Sequence, residues 1–429
     1  MDFNGLSIDQ APPISAPLRF FLTAPLFGII AGFLILFSDS ASLMSRFSIE
    51  SIAITHIFTI GFFGFVMLGA LTQMLPVLAG VKIPKVKFIA KYSHLLLVFG
   101  TLFMLAGLLN QNVIFNAISI VFLGSGFLML IVAIGLAIIK VTNFTATVKA
   151  MSISLVFAFF VVLMGLYLLS SYVTNNPSEY QMIIANIHSV WGIYGFVGIL
   201  IIGVSFQVLP MFYVAPRFKK FCKKKVIWLI PIGLVLWLFL NLSYEEYAIY
   251  SKIMVATFFL AFATAAWIKI SNRRRPISDT TIWYWKSATI FLGMGVLLWV
   301  ADDYLHHEYI VLVSIFIGCG FVLSLMQGML YKIIPFLVWF HLNAMGYMSI
   351  PTINEMIDKR LAKVQFFLFM FSLLGFIVSY FVPQFLSIFA ITFILNMILF
   401  EYNIIQPVFV YIKTKKTKPD FDMSAFTEN

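Results

Sequence analysis

Six histidines are the residues of this sequence best suited to chemistry, because a neutral imidazole can bind iron, copper or zinc through one ring nitrogen. His56 and His188 lie 20 and 22 residues before Pro76 and Pro210, which end two similar apolar segments. On α-helices these separations are about 30 and 33 Å, so both imidazoles reach a similar depth. We predict a haem or metal ligand at each position. The alternative is an interfacial histidine that is hydrogen-bonded to polar neighbours.

A second group of ligand-type side chains lies in one short segment, ADDYLHHEY, at 301–309. The adjacent His306 and His307, flanked by carboxylates, suit copper or zinc. The residue spacings of known zinc sites are absent, so a solvated acidic loop is the competing interpretation. His307 lies 28 residues before Pro335, which places it about 12 Å beyond the depth of His56 on a straight helix.

Four further polar residues, Gln73, Gln207, Lys332 and Glu401, lie within long apolar segments. Polar and ionisable groups inside a bilayer are costly and usually face the interior of the helix bundle. We expect Gln73 and Gln207 to be buried between helices, where amides can hydrogen-bond across helix interfaces. Glu401, about 18 Å of helix before Lys413, is either a proton-accessible carboxylate or the partner of a polar neighbour.

One face of the segment that follows His56 is rich in Phe and Met. On an α-helix, His56, Phe63, Met67 and Met74 fall on a common face, at offsets of 7, 11 and 18 residues. This stripe could form a flat wall against a cofactor, although the same pattern is typical of ordinary helix packing.

The elements that must position these residues are membrane helices. Of the 429 residues, 62% are hydrophobic and 10% are charged, whereas soluble domains carry about 25% charge. A bilayer crossing needs roughly 20 apolar residues. Twelve such stretches occur, centred near residues 28, 66, 98, 127, 160, 199, 234, 258, 291, 322, 371 and 398. We predict an all-α polytopic membrane protein, with residues 1–429 in a single transmembrane domain.

The basic residues indicate the orientation of these spans. If the loops alternate between two sides, all of the 28 Lys and Arg residues except Arg46 and Lys252 lie on one side. Basic loops remain in the cytoplasm, so we predict a cell membrane protein, of the bacterial inner-membrane kind, with both termini cytoplasmic. A cationic inner face against anionic lipid accounts for the formal charge of +11, so no nucleic-acid partner is expected. Cys222 and Cys319 fall on different elements, which excludes a disulfide framework.

Spans 2, 6 and 10 contain an internal repeat. Each has a segment that runs from a Gly to a Pro fifteen residues later: GFFGFVMLGALTQMLPVLAG (61–80), GFVGILIIGVSFQVLPMFYV (195–214) and GFVLSLMQGMLYKIIPFLVW (320–339). A second repeated pattern occurs at the ends of spans 4, 8 and 12, which have the sequences IKVTN, IKISN and IKTKK. We predict three units of four helices, at about 17–143, 150–272 and 281–416. They are expected to be related by a pseudo-threefold rotation about the membrane normal, with spans 2, 6 and 10 at the centre.

Three arcs of four helices, with a histidine near the outer end of helices 2 and 6, resemble subunit I of the haem-copper oxidases. Span 1, PLRFFLTAPLFGIIAGFLIL, followed by ITHIFTIGFFGFVMLGALTQMLPVLAG, is more similar to the NnrS family. That family is regarded as haem and copper membrane proteins linked to nitric oxide stress. The architectural similarity covers all twelve spans, but the sequence match is concentrated in 17–80. The resemblance implies that His56 binds low-spin haem and that His188 binds copper.

The oxidase pattern is incomplete in this chain. Span 7 has no histidine for a copper pair, span 10 has none in its repeat segment, and Gly192 stands where a cross-linked Tyr would follow His188. We therefore expect no oxygen-reducing binuclear centre. The resemblance implies one haem or a reduced metal site, with a redox partner, in nitric oxide stress or respiratory redox chemistry.

Whether the protein is an enzyme stays open, because any chemistry would come from the cofactor. The competing class is a twelve-helix secondary transporter. Its path would follow the threefold centre past the polar residues Gln73, Gln207, Lys332 and Glu401.

Overall fold

The structure is a computed structural model that describes residues 10–274, 278–305 and 309–421, except for the side chain of Cys222. These residues form helices and loops and contain no strand. Twelve helices are long and apolar enough to cross a membrane, which confirms the predicted number and positions of the spans. We number them in chain order: α1 Ser15–Phe37, α2 Ile49–Ala79, α3 Val86–Leu109, α4 Val113–Ile138, α5 Ala146–Thr174, α6 Gln181–Tyr213, α7 Lys223–Ser243, α8 Glu245–Ser271, α9 Thr280–Tyr304, α10 Ile310–Ala344, α11 Lys359–Phe381 and α12 Pro383–Thr414.

The helices pack in a cyclic order in which the same contacts recur. α1 packs on α2 and α3 packs on α4, and the equivalent pairs are α5 with α6, α7 with α8, α9 with α10, and α11 with α12. Between these groups α4 contacts α5 and α8 contacts α9, while α12 returns to contact α1. The last helix therefore closes a ring with the first.

Burial separates three of the twelve helices from the others. In the most apolar 18-residue window of each helix, α2, α6 and α10 are 67, 72 and 67% buried, whereas the other nine range from 28 to 50%. The helices predicted to line the centre are thus the three most enclosed by protein.

Glycines at matching positions let α2, α6 and α10 approach the preceding helix closely. A Cβ added at the first of these glycines would lie 2.5 or 2.6 Å from a phenylalanine, in the pairs Gly61–Phe27, Gly195–Phe157 and Gly320–Phe291. Each helix has a second glycine eight residues after the first, and it also contacts the preceding helix. The pairs are Gly69–Phe20, Gly203–Ala150 and Gly328–Tyr284, and in each the partner lies seven residues before the phenylalanine of the first pair. Small residues allow this close packing between membrane helices.

Each of these three helices also contains a π-helical segment. The segments are Ile57–Gly64 in α2, Trp191–Gly198 in α6 and Ile315–Leu323 in α10. Each one ends twelve residues before the repeat proline. A π segment widens the helix and changes the direction of the side chains that follow it, and such segments are frequent at functional sites.

The bundle has two ends, which we name by their residues. The proline end holds Pro76, Pro210 and Pro335, and the histidine end holds His56 and His188. The described ends of the chain both lie at the proline end. His341 Nε2 is 3.1 Å from the Pro12 carbonyl oxygen, and the Met348 N–H donates to the Asp420 carboxylate at 2.7 Å.

A buried polar network joins α9 to α12 and is centred on Gln365, which is completely buried. Its side-chain oxygen accepts hydrogen bonds from Tyr284 at 2.5 Å and from Tyr331 at 2.9 Å. Its amide nitrogen donates to Gln327 at 2.5 Å and to Asn396 at 2.6 Å. One side chain therefore links four helices.

Candidate functional site

A cavity of about 1390 Å³ lies at the histidine end, between α2, α6 and α10 and their neighbours. It is larger than most small-molecule sites, which measure roughly 300–1,000 Å³. Both His56 and His188 line it. The π segments contribute Ile60, Tyr194 and Cys319, each sixteen residues before a repeat proline.

The structure brings His56 and His188 together. Their ring centroids are 6.0 Å apart and their planes are inclined by 23°. His56 ends the first α-helical part of α2, and its Nδ1 is 2.7 Å from the Ile52 carbonyl oxygen. His188 lies on α6, and its Nδ1 is 3.0 Å from the Val161 carbonyl oxygen of α5.

These two backbone contacts decide which ring nitrogen carries the proton. A carbonyl oxygen only accepts hydrogen bonds, so the Nδ1 atom that faces it must be the N–H donor. In a neutral imidazole this leaves Nε2 unprotonated, with its lone pair available. Metal-binding histidines are typically held in this way, by a backbone carbonyl or carboxylate at the second nitrogen. The interfacial alternative predicted polar side-chain partners, but both rings use backbone carbonyls.

Gly165 of α5 provides the surface on which the His188 ring rests. A Cβ at this position would lie 3.0 Å from His188 Cε1, closer than ordinary contact allows. Gly165 is four residues after Val161, so the glycine and the carbonyl lie on the same face of α5. Together they hold the imidazole in one orientation.

The separation of the two rings agrees with binding to a single metal centre. Metal–imidazole bonds are about 2.0 Å, which puts two imidazole centroids roughly 6 Å apart when they bind opposite sides of one ion. Within the described parts of the chain, no group of three or more His, Cys, Asp or Glu residues is placed to hold a metal. A bare copper or zinc ion would lack ligands from these residues. Haem iron needs only two axial side chains, so the pair fits haem better.

The predicted face of α2 is interrupted by its π segment. Of the four residues expected to share one face, His56 and Phe63 line the cavity, while Met67 and Met74 do not. Ile57–Gly64 lies between His56 and Met67, so a regular α-helical wheel does not apply across it. The cavity lining therefore does not extend along the whole stripe, which fits the alternative of ordinary helix packing for Met67 and Met74.

His306 and His307 lie outside the described residues. The adjacent Asp303 does line the cavity, where its carboxylate is 2.5 Å from the ammonium group of Lys252. Lys252 is buried in α8, and its Nζ lies 5.0 Å from the centre of the Trp299 ring. Of the described residues of this segment, Asp302, Asp303 and Tyr304 thus line the cavity.

The four polar residues singled out in the sequence lie elsewhere, since none of them lines the cavity. Gln73 is buried, as predicted, whereas Gln207 is only half-buried. Lys332 is buried and its ammonium group is 2.5 Å from the Asp279 carboxylate. Glu401 is half-buried in α12, and its Oε2 has no hydrogen-bond partner among the described residues. The structure therefore offers no pairing partner for that oxygen.

Asp279 precedes α9 and caps its N-terminus by accepting hydrogen bonds from the Thr281 and Ile282 N–H groups. Burial alone would raise the pKa of the Asp279 carboxyl. The charge of Lys332 and the hydrogen bonds to Lys332, Thr281 and Ile282 outweigh this effect and hold the pKa below its usual value. The carboxyl is therefore ionised at neutral pH and neutralises Lys332.

His94 and His341 are held by other contacts and lie away from the cavity. His94 Nε2 is 2.8 Å from the Thr23 hydroxyl oxygen. His341 has Nδ1 2.9 Å from the Leu337 carbonyl oxygen and Nε2 3.1 Å from that of Pro12. Both ring nitrogens of His341 are thus engaged by the protein, in contrast to those of His56 and His188.

Sequence reasoning missed Tyr194, Cys319 and Trp299, which line the same cavity. Tyr194 is 3% exposed, its ring centroid is 4.3 Å from that of Trp299, and its hydroxyl has no hydrogen-bond partner among the described residues. The repeat itself carried a signal for two of them, because Tyr194 and Cys319 both lie sixteen residues before a repeat proline.

No protein-family model and no curated protein matches this chain. Two imidazoles lie in one large cavity with their ring centroids 6.0 Å apart, and the Nδ1 atom of each lies beside a backbone carbonyl oxygen, which leaves Nε2 available in the neutral ring. This arrangement can supply two ligands to one metal centre whose remaining ligands come from a cofactor.

Proposed function

We propose that this protein is a haem-binding integral membrane protein in which His56 and His188 would hold the haem iron. The observation that carries the proposal is the anchored pair of imidazoles, 6.0 Å apart, in one cavity. A bound haem would supply one-electron chemistry and the capacity to bind small diatomic molecules. This assignment keeps the haem that the resemblance implies at His56, but it differs at His188, which the resemblance would give to copper. A role in nitric oxide stress or respiratory redox chemistry is part of the same proposal.

The protein's own residues would bind and orient the group. The Ile52 and Val161 carbonyl oxygens keep the histidine protons on Nδ1. Gly165 admits the His188 ring against α5. Phe58, an apolar side chain of the π segment of α2, lines the same cavity.

We also propose that residues 17–143, 150–272 and 281–416 are three repeats related by rotation about the membrane normal, with both termini cytoplasmic. Three kinds of feature support the repeat: the recurring helix pairs, the matched glycine contacts, and the π segments that end twelve residues before each repeat proline. Superposition of the three units measures the rotation. Angles near 120° are expected, and different helix orders or opposed orientations would contradict the repeat.

The haem proposal is tested by a pyridine haemochrome spectrum of protein purified after expression with added haem precursor. Wild-type protein should contain one haem per chain, and His56→Ala and His188→Ala should each lose its absorbance while remaining folded. His94→Ala and His341→Ala are the matched controls, because these histidines do not line the cavity. Wild-type protein without haem, or an unchanged spectrum in His56→Ala, would refute the assignment.

A secondary transporter is the second candidate, and one observation favours it. The large cavity lies at the histidine end, while a separate void of about 60 Å³ lies near the proline end beside Gln73, where the Phe212 and Phe336 rings are in contact at 5.4 Å. This is the arrangement expected of a path closed at one end. If single cysteines at Tyr194 and Phe212 show opposite changes in labelling when a solute is added, the transporter is favoured. Labelling that is independent of solute argues against it.

A further inference from the structure

One part of the cavity extends deeper than the histidines, between α2, α4 and α5. We call it the apolar arm, and its lining residues are Phe63, Leu68, Leu123, Phe127, Ile131 and Ala158. All six are apolar, and five of them are buried, with Phe127 half-buried. Among the described lining residues of α2 beyond Thr59, and among those of α4, none carries a polar side chain.

The length of the apolar arm can be estimated along α2. Leu68 follows His56 by twelve residues, which corresponds to about 15 to 18 Å when the π segment is allowed for. An extended hydrocarbon chain advances about 1.25 Å per carbon atom, so roughly twelve to fourteen carbons would span this depth. The arm therefore has the length of one fatty-acyl or isoprenoid chain.

Water is a poor occupant of this arm. A buried water needs two to four polar partners, and apolar cavities stay dry and take apolar guests. An empty void of this length would also deprive the lining side chains of contacts that a close-packed interior normally has. A hydrocarbon chain needs no polar partners and would make those packing contacts.

The shallow end of the same cavity has a different character. His56, His188 and Asn186 line it there, together with Arg46 and the Lys252–Asp303 ion pair. A ligand that fills the apolar arm and reaches this region must carry a polar head group. The bilayer that surrounds the twelve helices is a direct source of such molecules.

We propose that the apolar arm binds the hydrocarbon chain of a single-chain amphiphile from the membrane, with its polar head beside the histidine pair. This inference does not rest on haem binding, because neither of the histidines proposed to hold haem is among the six residues that line the arm. It adds a lipid-soluble ligand to the site.

The first test uses spin-labelled stearate, with its nitroxide at carbon 12, added to the full-length protein in phosphatidylcholine nanodiscs. Wild-type protein should show a saturable immobilised signal of about one label per chain. Ala158→Trp fills the arm and should reduce that signal at least five-fold. Val156→Trp is the matched control, since Val156 lies on the same helix and is 57% exposed. No saturable signal in wild-type protein, or undiminished binding in Ala158→Trp, would overturn the proposal.

A second measurement uses no variant that fills the arm. It also identifies whether a single-chain lipid or a phospholipid supplies the hydrocarbon chain. Fluorescence of Phe127→Trp, read as a difference from wild type, should be quenched by stearate brominated at carbon 12 but not by phosphatidylcholine brominated at the same depth. Val121→Trp, at a side chain that is 61% exposed, should show the reverse. Quenching of Phe127→Trp by the brominated phospholipid alone would overturn a single-chain ligand. Haem content, measured on the same samples, reports separately on the histidine pair.

Discussion

Replacing Gly165 by alanine tests whether the orientation of His188 matters for the site. The added Cβ would lie 3.0 Å from Cε1, 3.6 Å from Nδ1 and 3.9 Å from Nε2 of His188. Non-bonded carbon atoms prefer separations of about 3.5 to 4.0 Å, so the ring must retreat by roughly 0.5 to 1 Å. The movement is directed away from α5 and stretches the 3.0 Å hydrogen bond to the Val161 carbonyl oxygen.

The expected effect on binding is larger than the effect on folding. Metal–ligand distances tolerate deviations of about 0.2 Å, so the displaced imidazole can no longer bind without strain. Loss of such a supporting contact typically weakens metal affinity about 10- to 100-fold. Alanine is favoured over glycine within a helix by about 0.5 to 1 kcal/mol, which offsets part of the steric cost. The free energy of unfolding of Gly165→Ala should therefore change by less than about 1 kcal/mol.

The assay is a haem titration of purified apo-protein, followed by absorbance, together with thermal unfolding in detergent. Gly165→Ala should bind haem about 10- to 100-fold more weakly. Gly135→Ala, on α4, is the matched control, because the nearest atom to its added Cβ is a Leu155 methyl carbon at 4.0 Å. If Gly165→Ala binds haem within two-fold of wild type while His188→Ala does not bind, the imidazole is not positioned by α5 and the reasoning fails.

Three further predictions concern the polar contacts of the bundle. Because the pKa of Asp279 is lowered in the folded protein, its pairing with Lys332 should stabilise the fold fully above the carboxyl's usual pKa of 3.8, and this stabilisation should be lost as the pH falls below that value. Asp279→Asn should remove this acid sensitivity in thermal unfolding. A retained sensitivity would contradict the pairing. Gln365→Leu should lower the free energy of unfolding by about 2 to 3 kcal/mol, since four membrane hydrogen bonds are lost at roughly 0.6 kcal/mol each, and an unchanged denaturation midpoint would argue against the network. Asp303→Asn leaves the charge of Lys252 unpaired, whereas Lys252→Met leaves that of Asp303 unpaired. The side chain of Lys252 is 9% exposed and that of Asp303 is 43% exposed, so Asp303→Asn should destabilise the protein more, because a buried unpaired charge costs more than a solvated one. Equal effects would refute this asymmetry.

The number and positions of the membrane helices, and the depth of the two histidines along them, can be predicted by counting residues. Apolar stretches of sufficient length can be counted directly, because the bilayer imposes a minimum length on every crossing. The depths of His56 and His188 followed from their distances to Pro76 and Pro210, since an α-helix rises by a constant amount per residue. Matched depth does not by itself bring two side chains together; the structure places the two ring centroids 6.0 Å apart. The threefold relation of the units stays a prediction.

Only the tertiary structure decided which side chains meet around each helix. Counting residues gives a position along the helix axis, but the direction of a side chain depends on the helical turn and on the neighbouring helices. The π segment Ile57–Gly64 changes that direction within α2. Phe63 lines the cavity, whereas Met67, which an α-helical wheel places on the same face, does not. The anchoring of His188 by Val161 depends on the packing of α5 against α6, which local sequence does not encode. Depth is set by local backbone geometry, whereas contacts between helices are set by the packing of residues that are distant in the chain.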